Sequence, residues 1–218
     1  MSLIEEQNKT LKAPRLKYGM LSKMLFSGMD MFYGKKRTLS KFKVLEVIAR
    51  MPYQAWENVA YVAITHTYAN PPLARSMFDI VKESREMQDN EQWHLLILGE
   101  LTEMRNIKEG VIRYKLLPQI MALVYYYISW ILYVIKPSLS HELNLYFEDH
   151  AEHEYMLFVQ ENPDFEHEAY NGEFQSDYGS FQSIADLLRQ IGLDERHHKE
   201  VSAFRMKAAR FHQPINTE

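Results

Sequence analysis

The segment 90-NEQWHLLILGEL-101 sets a glutamate and a histidine three apart in an otherwise largely apolar run, and 193-LDERHHKEV-201 repeats the arrangement about a hundred residues later. Positions i and i+3 share one face of an α-helix, so Glu91 and His94 can hold one ion together, as can Glu195 and His198. No other Glu-x-x-His occurs in the 218 residues. With 21 Glu and 9 His in the chain, random placement gives roughly one such pair, so the pairs alone decide little. Their company decides more. Glu46 lies in 44-VLEVIA-49, an apolar run in which an unpaired carboxylate is costly, and Glu148 lies in 146-YFEDHAEHEY-155. The spacing from Glu46 to Glu91 is 45 residues and from Glu148 to Glu195 it is 47. The chain therefore reads as two similar halves, each a helix with one Glu followed by a helix with Glu-x-x-His.

Two helices each giving a Glu and two each giving Glu-x-x-His are the parts of a carboxylate-bridged dinuclear centre in a four-helix bundle. Four carboxylates nearly neutralise two divalent ions, and two imidazoles favour iron over calcium or magnesium, with manganese fitting almost as well. The expected cofactor is two iron ions per chain. Each single Glu has a rival. Glu57 lies eleven residues after Glu46 on the same helical face, and Glu152 lies one turn after Glu148. His197 points about 100° away from His198, and the neighbouring charges place His153 on a solvated face. His150, in the same charged run, is a further imidazole to weigh. Asn90 and Asp194 each stand four before a motif His, placed to hold the second ring nitrogen of that imidazole. Tyr155 stands seven after Glu148, two turns along nearly the same stripe.

The rest of the chain supports an all-α reading in one domain, residues 1–218. Eight Gly, eight Pro and a 46% hydrophobic composition suit long helices. The absence of Cys excludes disulfides, thiolate nucleophiles and Cys-type zinc sites. Helical periodicity is expected over 38–68 with a kink at Pro52, from the turn 69–72 to about 104, over 109–135, from Ser138 or Ser140 to about 160, and over 180–211. An acidic, polar loop at 161–178 separates the last two. Residues 38–211 make the bundle and 1–37 a basic arm. Residues 1–43 hold ten Lys/Arg against three acids, about +7, which leaves about −11 for the remainder of a chain of net charge −4. Within that arm, 15-RLKYGMLSKMLFSGMDMFYG-34 reads as an amphipathic helix able to lie in a lipid interface. The opening residues have the features of neither a signal peptide nor a transit peptide. Residues 116–135 run for twenty positions without a charge, bounded by Lys115 and Lys136. Their five aromatics and one Gln favour a helix buried on one side and lipid-facing on the other over a spanning one.

The motifs 44-VLEVIARMPY-53, 90-NEQWHLLILGEL-101, 147-FEDHAEHEY-155 and 194-DERHH-198 resemble, in order, those of the alternative oxidase family, most nearly its plastoquinol terminal oxidase branch with the cyanobacterial-type members. The resemblance runs from about residue 40 to 206. It implies a ferritin-like bundle with membrane-interface helices, in which Glu46, Glu91, His94, Glu148, Glu195 and His198 match the family's six iron ligands. It thereby prefers Glu46 over Glu57 and Glu148 over Glu152. It also implies that Tyr155 is the tyrosine needed for activity beside the metals, and that Lys41, Phe42, Leu45, Phe147 and Ala151 line the quinol cleft. The implied reaction oxidises two quinols per O₂ and reduces O₂ to water, insensitive to cyanide and without proton pumping. The implied partners are quinol, O₂ and one membrane leaflet, not nucleic acid, with a homodimer allowed. The first and fourth helices, 15–33 and 109–135, would meet that leaflet. Lys41 departs from the family, which carries an Arg there with a planar fork of donors. The long insertion of plant plastid members before the last motif is missing, which implies a compact prokaryotic or phage-like protein on a cytoplasmic or thylakoid membrane. Three other readings are compatible with the residues: a di-iron quinone-ring hydroxylase, a soluble ferritin-like iron or manganese protein, and a metal-free helical protein on a membrane surface.

Overall fold

Local sequence signals set most of the helix ends. Ser2 accepts from the Glu5 backbone while the Glu5 side chain reaches back to Ser2 N–H, a reciprocal cap that opens α1 (Leu3–Lys12). The computed structural model describes residues 2–207. After α1 come α2 (Met20–Tyr33), α3 (Leu39–Ala49), α4 (Met51–Thr67), α5 (Pro71–Met104), α6 (Leu117–Ile135), α7 (Pro137–Glu161), the short α8 (Gln175–Tyr178) and α9 (Ile184–Lys207). A π-helical turn, Ile112–Leu116, leads into α6, and a 3₁₀ turn, Pro163–Glu166, follows α7. Among the described residues there is no strand.

The segment expected to kink at Pro52 is broken at Arg50 into α3 and α4. A proline there cannot donate to the carbonyl four residues earlier and its ring crowds that carbonyl. The basic arm also departs from expectation. Residues 13–19 are not helical, because Leu16 N–H and Tyr18 Oη both donate to Asp149 Oδ2 at 3.1 and 3.0 Å and Arg15 pairs with Glu154 at 2.6 Å. Before this strap, α1 docks on α7 and α9. The buried Gln7 donates to Met156 O and accepts from Arg189 Nε, each at 2.8 Å. The last helix starts at Ile184, just after Ser183, whose hydroxyl accepts from Asp186 N–H. Residues 208–211 of the expected helix lie outside those described.

In the bundle, α7 lies along α9, α5 lies along α3 and α4, and α6 crosses α3, α4 and α7. One apolar cluster joins Phe42, Ile97, Leu98, Tyr155, Phe158 and Leu188; another joins Val44, Leu45, Ile48, Tyr125, Phe147 and Ala151. Gly192 lets α9 approach α7, since a Cβ there would stand 3.2 Å from Tyr155 Cβ and 2.9 Å from Met156 Cε. Helix α6 is buried through Ala122, Tyr125, Ser129 and Tyr133 and exposes Ile120, Leu123, Val124, Tyr127 and Ile131. Helix α2 exposes Met20, Met24 and Met31 beside it, and a groove of about 340 Å³ between the two is lined by Met24, Phe32, Ile120 and Val124 among others. Ile112–Ile135 is long and apolar enough to cross a membrane, but its exposed residues form one stripe.

Where α4, α6 and α7 meet, His141 is 5% exposed, with its ring 4.2 Å from Trp56 and 5.4 Å from Tyr133. Burial first, and the Arg205 charge second, push its pKa down to about 3. A histidine depressed in the folded state contributes stability that is present above its unfolded pKa, near 6.5, and lost as pH falls toward 3. Between pH 7 and 5 this group should cost about 2 kcal/mol of unfolding free energy. Urea unfolding of wild type and His141→Asn should show the smaller pH slope in the variant.

Candidate metal centre

The bundle brings the six sequence-selected ligands together. Glu46 comes from α3, Glu91 and His94 from α5, Glu148 from α7, and Glu195 and His198 from α9, all at most 1% exposed. Their ligand atoms form two groups, each with its atoms within 4.8 Å of one another: Glu46, Glu91, His94 and Glu195, and Glu91, Glu148, Glu195 and His198. Glu91 and Glu195 belong to both groups, so they are the two residues that two bound ions would share. Each group keeps one carboxylate and one imidazole of its own. His94 Nδ1 lies 3.3 Å from Glu195 Oε1 and 3.6 Å from Glu46 Oε2; His198 Nδ1 lies 2.8 Å from Glu91 Oε1 and 3.4 Å from Glu195 Oε2.

The orphaned atoms test whether a metal pair fits. Among the side-chain atoms buried without a hydrogen bond are Glu46 Oε2, both oxygens of Glu91 and of Glu195, Glu148 Oε2, and Nδ1 of His94 and His198. A folded protein seldom leaves such atoms unpartnered. Here eight of them cluster in the two groups and supply the carboxylate and imidazole donors a pair of divalent ions takes. The residues fit a dinuclear metal centre.

Electrostatics agree. Burial, then the Glu195 charge, pushes Glu46 and Glu148 well above the ordinary carboxylate range. For Glu91, burial pushes up, but the His198 and His94 imidazoles outweigh it and the net shift is downward. Burial alone lowers His198, yet Glu91 and Glu195 raise it to about 9, and His94 likewise ends well above its usual value against the pull of burial.

The surrounding shell corrects one expectation. Asp194 Oδ2 lies 3.2 Å from His94 Nε2, on the other half's imidazole, rather than serving His198 on its own helix. Asn90 donates to that same Asp194 oxygen at 3.1 Å, and so supports His94 through Asp194. Gln190 donates to Asp194 Oδ1 at 2.8 Å, and Tyr178 donates to Oδ2 at 2.6 Å. Burial tends to raise the Asp194 pKa, but its bonds from His94, Tyr178 and Asn90 bring it down to about 2. Tyr178 arrives from the loop read as merely acidic and polar, and no local pattern marks it.

Two phenols touch the single glutamates. Tyr155 donates to Glu46 Oε1, and Tyr53 donates to Glu148 Oε1 at 2.7 Å. Burial raises both phenols well above their ordinary pKa, so both stay protonated. Tyr53 escapes a reading of the sequence, although it stands seven after Glu46 as Tyr155 stands seven after Glu148.

The rivals fall away from the centre. Glu57 pairs with Arg85 and Gln88, each at 2.7 Å. Asp149, Glu152 and His153 form a second buried group, but protein cations already neutralise it: Lys199 reaches both acids and Arg196 Nε donates to Glu152 at 2.9 Å. His153, expected on a solvated face, is 5% exposed because the strap after α1 covers it, with Ala13 O 3.3 Å from its Nε2. His197 is exposed. Of the residues matched to a quinol cleft, Lys41, Phe42 and Leu45 line one narrow cleft with Arg37, His150 and Glu154. Phe147 and Ala151 are absent from that lining and pack with Leu45 in the apolar cluster behind it.

The Glu46 and Glu57 environments give opposite expectations. Glu46→Ala removes one group's own carboxylate, and bound metal should fall from about two ions per chain to one or none. Glu57→Ala should leave metal content unchanged, because it breaks only a half-exposed ion pair. Metal analysis of the two purified variants checks this.

The alternative oxidase family model matches residues 8–205. Among curated proteins, "Ubiquinol oxidase 4, chloroplastic/chromoplastic" of Arabidopsis thaliana is 30% identical over 132 residues, 61% of this chain and 34% of that protein. "Ubiquinol oxidase 2, mitochondrial" of Arabidopsis thaliana is 27% identical over 135 residues, 57% of this chain and 35% of that protein. The chain thus spans about a third of the length of the curated relatives it matches. With the family model covering nearly the whole bundle and every element that carries the metal centre, the chain belongs to the alternative oxidase family.

Proposed function

We propose that this protein is a quinol oxidase on one membrane leaflet, reducing O₂ to water with two iron ions held by Glu46, Glu91, His94, Glu148, Glu195 and His198. The observation that carries this reading is the cluster of buried carboxylate and imidazole atoms without hydrogen bonds at the centre of a chain of this family. When bound, the irons supply reversible one-electron chemistry toward O₂. Two quinols give up four electrons and four protons, which balance one O₂ reduced to two waters.

The protein's own groups deliver the substrate. The quinol headgroup approaches at the cleft of Lys41, Phe42, Leu45, Arg37, His150 and Glu154, which at about 10 Å³ has to widen to admit a ring, with Phe147 and Ala151 in the neighbouring apolar cluster. The Phe42 ring lies 4.3 Å from the Tyr155 ring, so cleft and metal centre are in contact through two aromatic side chains. Tyr155, bonded to Glu46, is the proposed one-electron donor between them. The exposed apolar faces of α2 and α6 support seating in one leaflet, since a patch of that extent on a soluble monomer is unusual.

Purified protein should hold about two irons per chain and consume O₂ on added plastoquinol or ubiquinol analogues, in the presence of cyanide and blocked by gallate. Strong cyanide inhibition, or a hydroxylated quinone product, would overturn the reading. Membrane seating has its own check. Wild type should co-sediment with liposomes containing anionic lipid, and the double variant Met24→Glu/Leu123→Glu should stay in the supernatant with its helicity intact.

A further inference from the structure

We infer that Tyr53 is a second positioning phenol of the metal centre, fixing which oxygen of Glu148 is offered to the metal as Tyr155 does for Glu46. The inference rests on the proposed metal reading and deepens it. Tyr53 Oη donates to Glu148 Oε1 at 2.7 Å, and Tyr155 Oη donates to Glu46 Oε1. In each carboxylate the other oxygen, Oε2, is the buried atom without a hydrogen bond. Each phenol thus occupies one oxygen and leaves its neighbour free toward the ligand group.

The arrangement crosses the two halves. Tyr53 stands seven after Glu46 but serves Glu148; Tyr155 stands seven after Glu148 but serves Glu46. The break at Arg50 turns the chain before Tyr53 and lets its ring lie 5.5 Å from the His198 ring, in Glu148's own ligand group. Tyr53 is itself held. Asn144 Nδ2 donates to its oxygen at 2.9 Å and also to Ser202 Oγ at 3.1 Å, and Trp56 packs edge-on to its ring at 5.1 Å. A phenol that accepts from one buried amide has its proton left for Glu148 alone. The surroundings of the two phenols also differ. Tyr155 adjoins Phe42 of the cleft, while Tyr53 lies among Asn144, Trp56 and His198.

The test is Co²⁺ titration of the full-length protein prepared free of metal, followed by visible absorption. Tyr53→Phe should weaken Co²⁺ binding by about tenfold or more, the usual effect of losing a group that orients a ligand. In a Glu46→Ala background, where the Glu148 group is left intact, the loss should persist. In a Glu148→Ala background it should vanish, because the bonded partner is gone. Tyr155→Phe should show the reverse pattern. Unchanged Co²⁺ affinity in Tyr53→Phe, or an equal loss without Glu148, overturns the inference. If Tyr53→Phe does not fold, Asn144→Ala is read the same way: weakened Co²⁺ binding at unchanged helicity supports the inference, and unchanged affinity overturns it. Wild type that takes up no Co²⁺ would overturn the metal reading itself; wild type that binds two ions beside an unaffected Tyr53→Phe overturns this inference alone.

Discussion

Four glutamates buried in the middle of a helical bundle set the terms for everything around them. Each ionised carboxylate taken out of water costs several kcal/mol unless its charge is offset. Glu46 and Glu148 are driven toward their protonated forms by burial and by Glu195, while His94 and His198 are driven toward theirs by the carboxylates they face. Without metal, protons supply the offset. Ions bound here would displace those protons, so metal uptake, proton release and stabilisation of the bundle would be one process. The outer groups make the exchange specific by holding each ligand in place. Phenols occupy one oxygen of Glu46 and one of Glu148, and Asp194 fixes the far nitrogen of His94.

The same constraint explains why a second acidic group beside the centre is no rival. Asp149, Glu152 and His153 have the residue types of a metal site and are just as buried. Their charge is already balanced. Lys199 and Arg196 reach the acids from α9, Thr10 of α1 donates to Glu152 at 2.5 Å, and the strap after α1 donates to Asp149. Cations and donors of the chain occupy the oxygens there, whereas at the centre the oxygens facing inward have none. The charge that looks like a solvated face in the sequence is the seat of the N-terminal helix.

What was legible in the sequence is what lies on one helix. The ligand pairs three apart follow from helical periodicity, whereas Glu46 over Glu57, Glu148 over Glu152 and the role of Tyr155 are what the family resemblance implies; all of them lie at the centre. Relations between helices are not carried by that period. Asp194 reads as a partner of His198 because it stands four before it, yet it bonds His94 across the bundle. Tyr53 has the same offset from Glu46 as Tyr155 has from Glu148, but Pro52 intervenes, and the direction a chain takes after a break is set by packing. Tyr178 reaches Asp194 from the end of α8, a helix of four residues too short to carry a period. The docking of α1 depends on two buried polar side chains, Gln7 and Thr10, whose partners lie about 140 or more positions away.

Lys41 links the exposed apolar helix α2 to the centre. It stands five before Glu46 on α3, and its ammonium donates to Asp30 Oδ1 at 2.6 Å and to Gly34 O at 2.8 Å. Both acceptors belong to the C-terminal end of α2, where a cation also opposes the helix dipole. A guanidinium offers its donors in one plane, suited to a carboxylate or a flat headgroup. An ammonium offers three donors in a tripod, and here two of them already fasten α2 to α3. One donor remains on the side of the cleft that Lys41 lines. Lys41 is therefore a tether: the helix with the exposed methionines is held to the helix that carries Glu46 by the same side chain that faces the cleft.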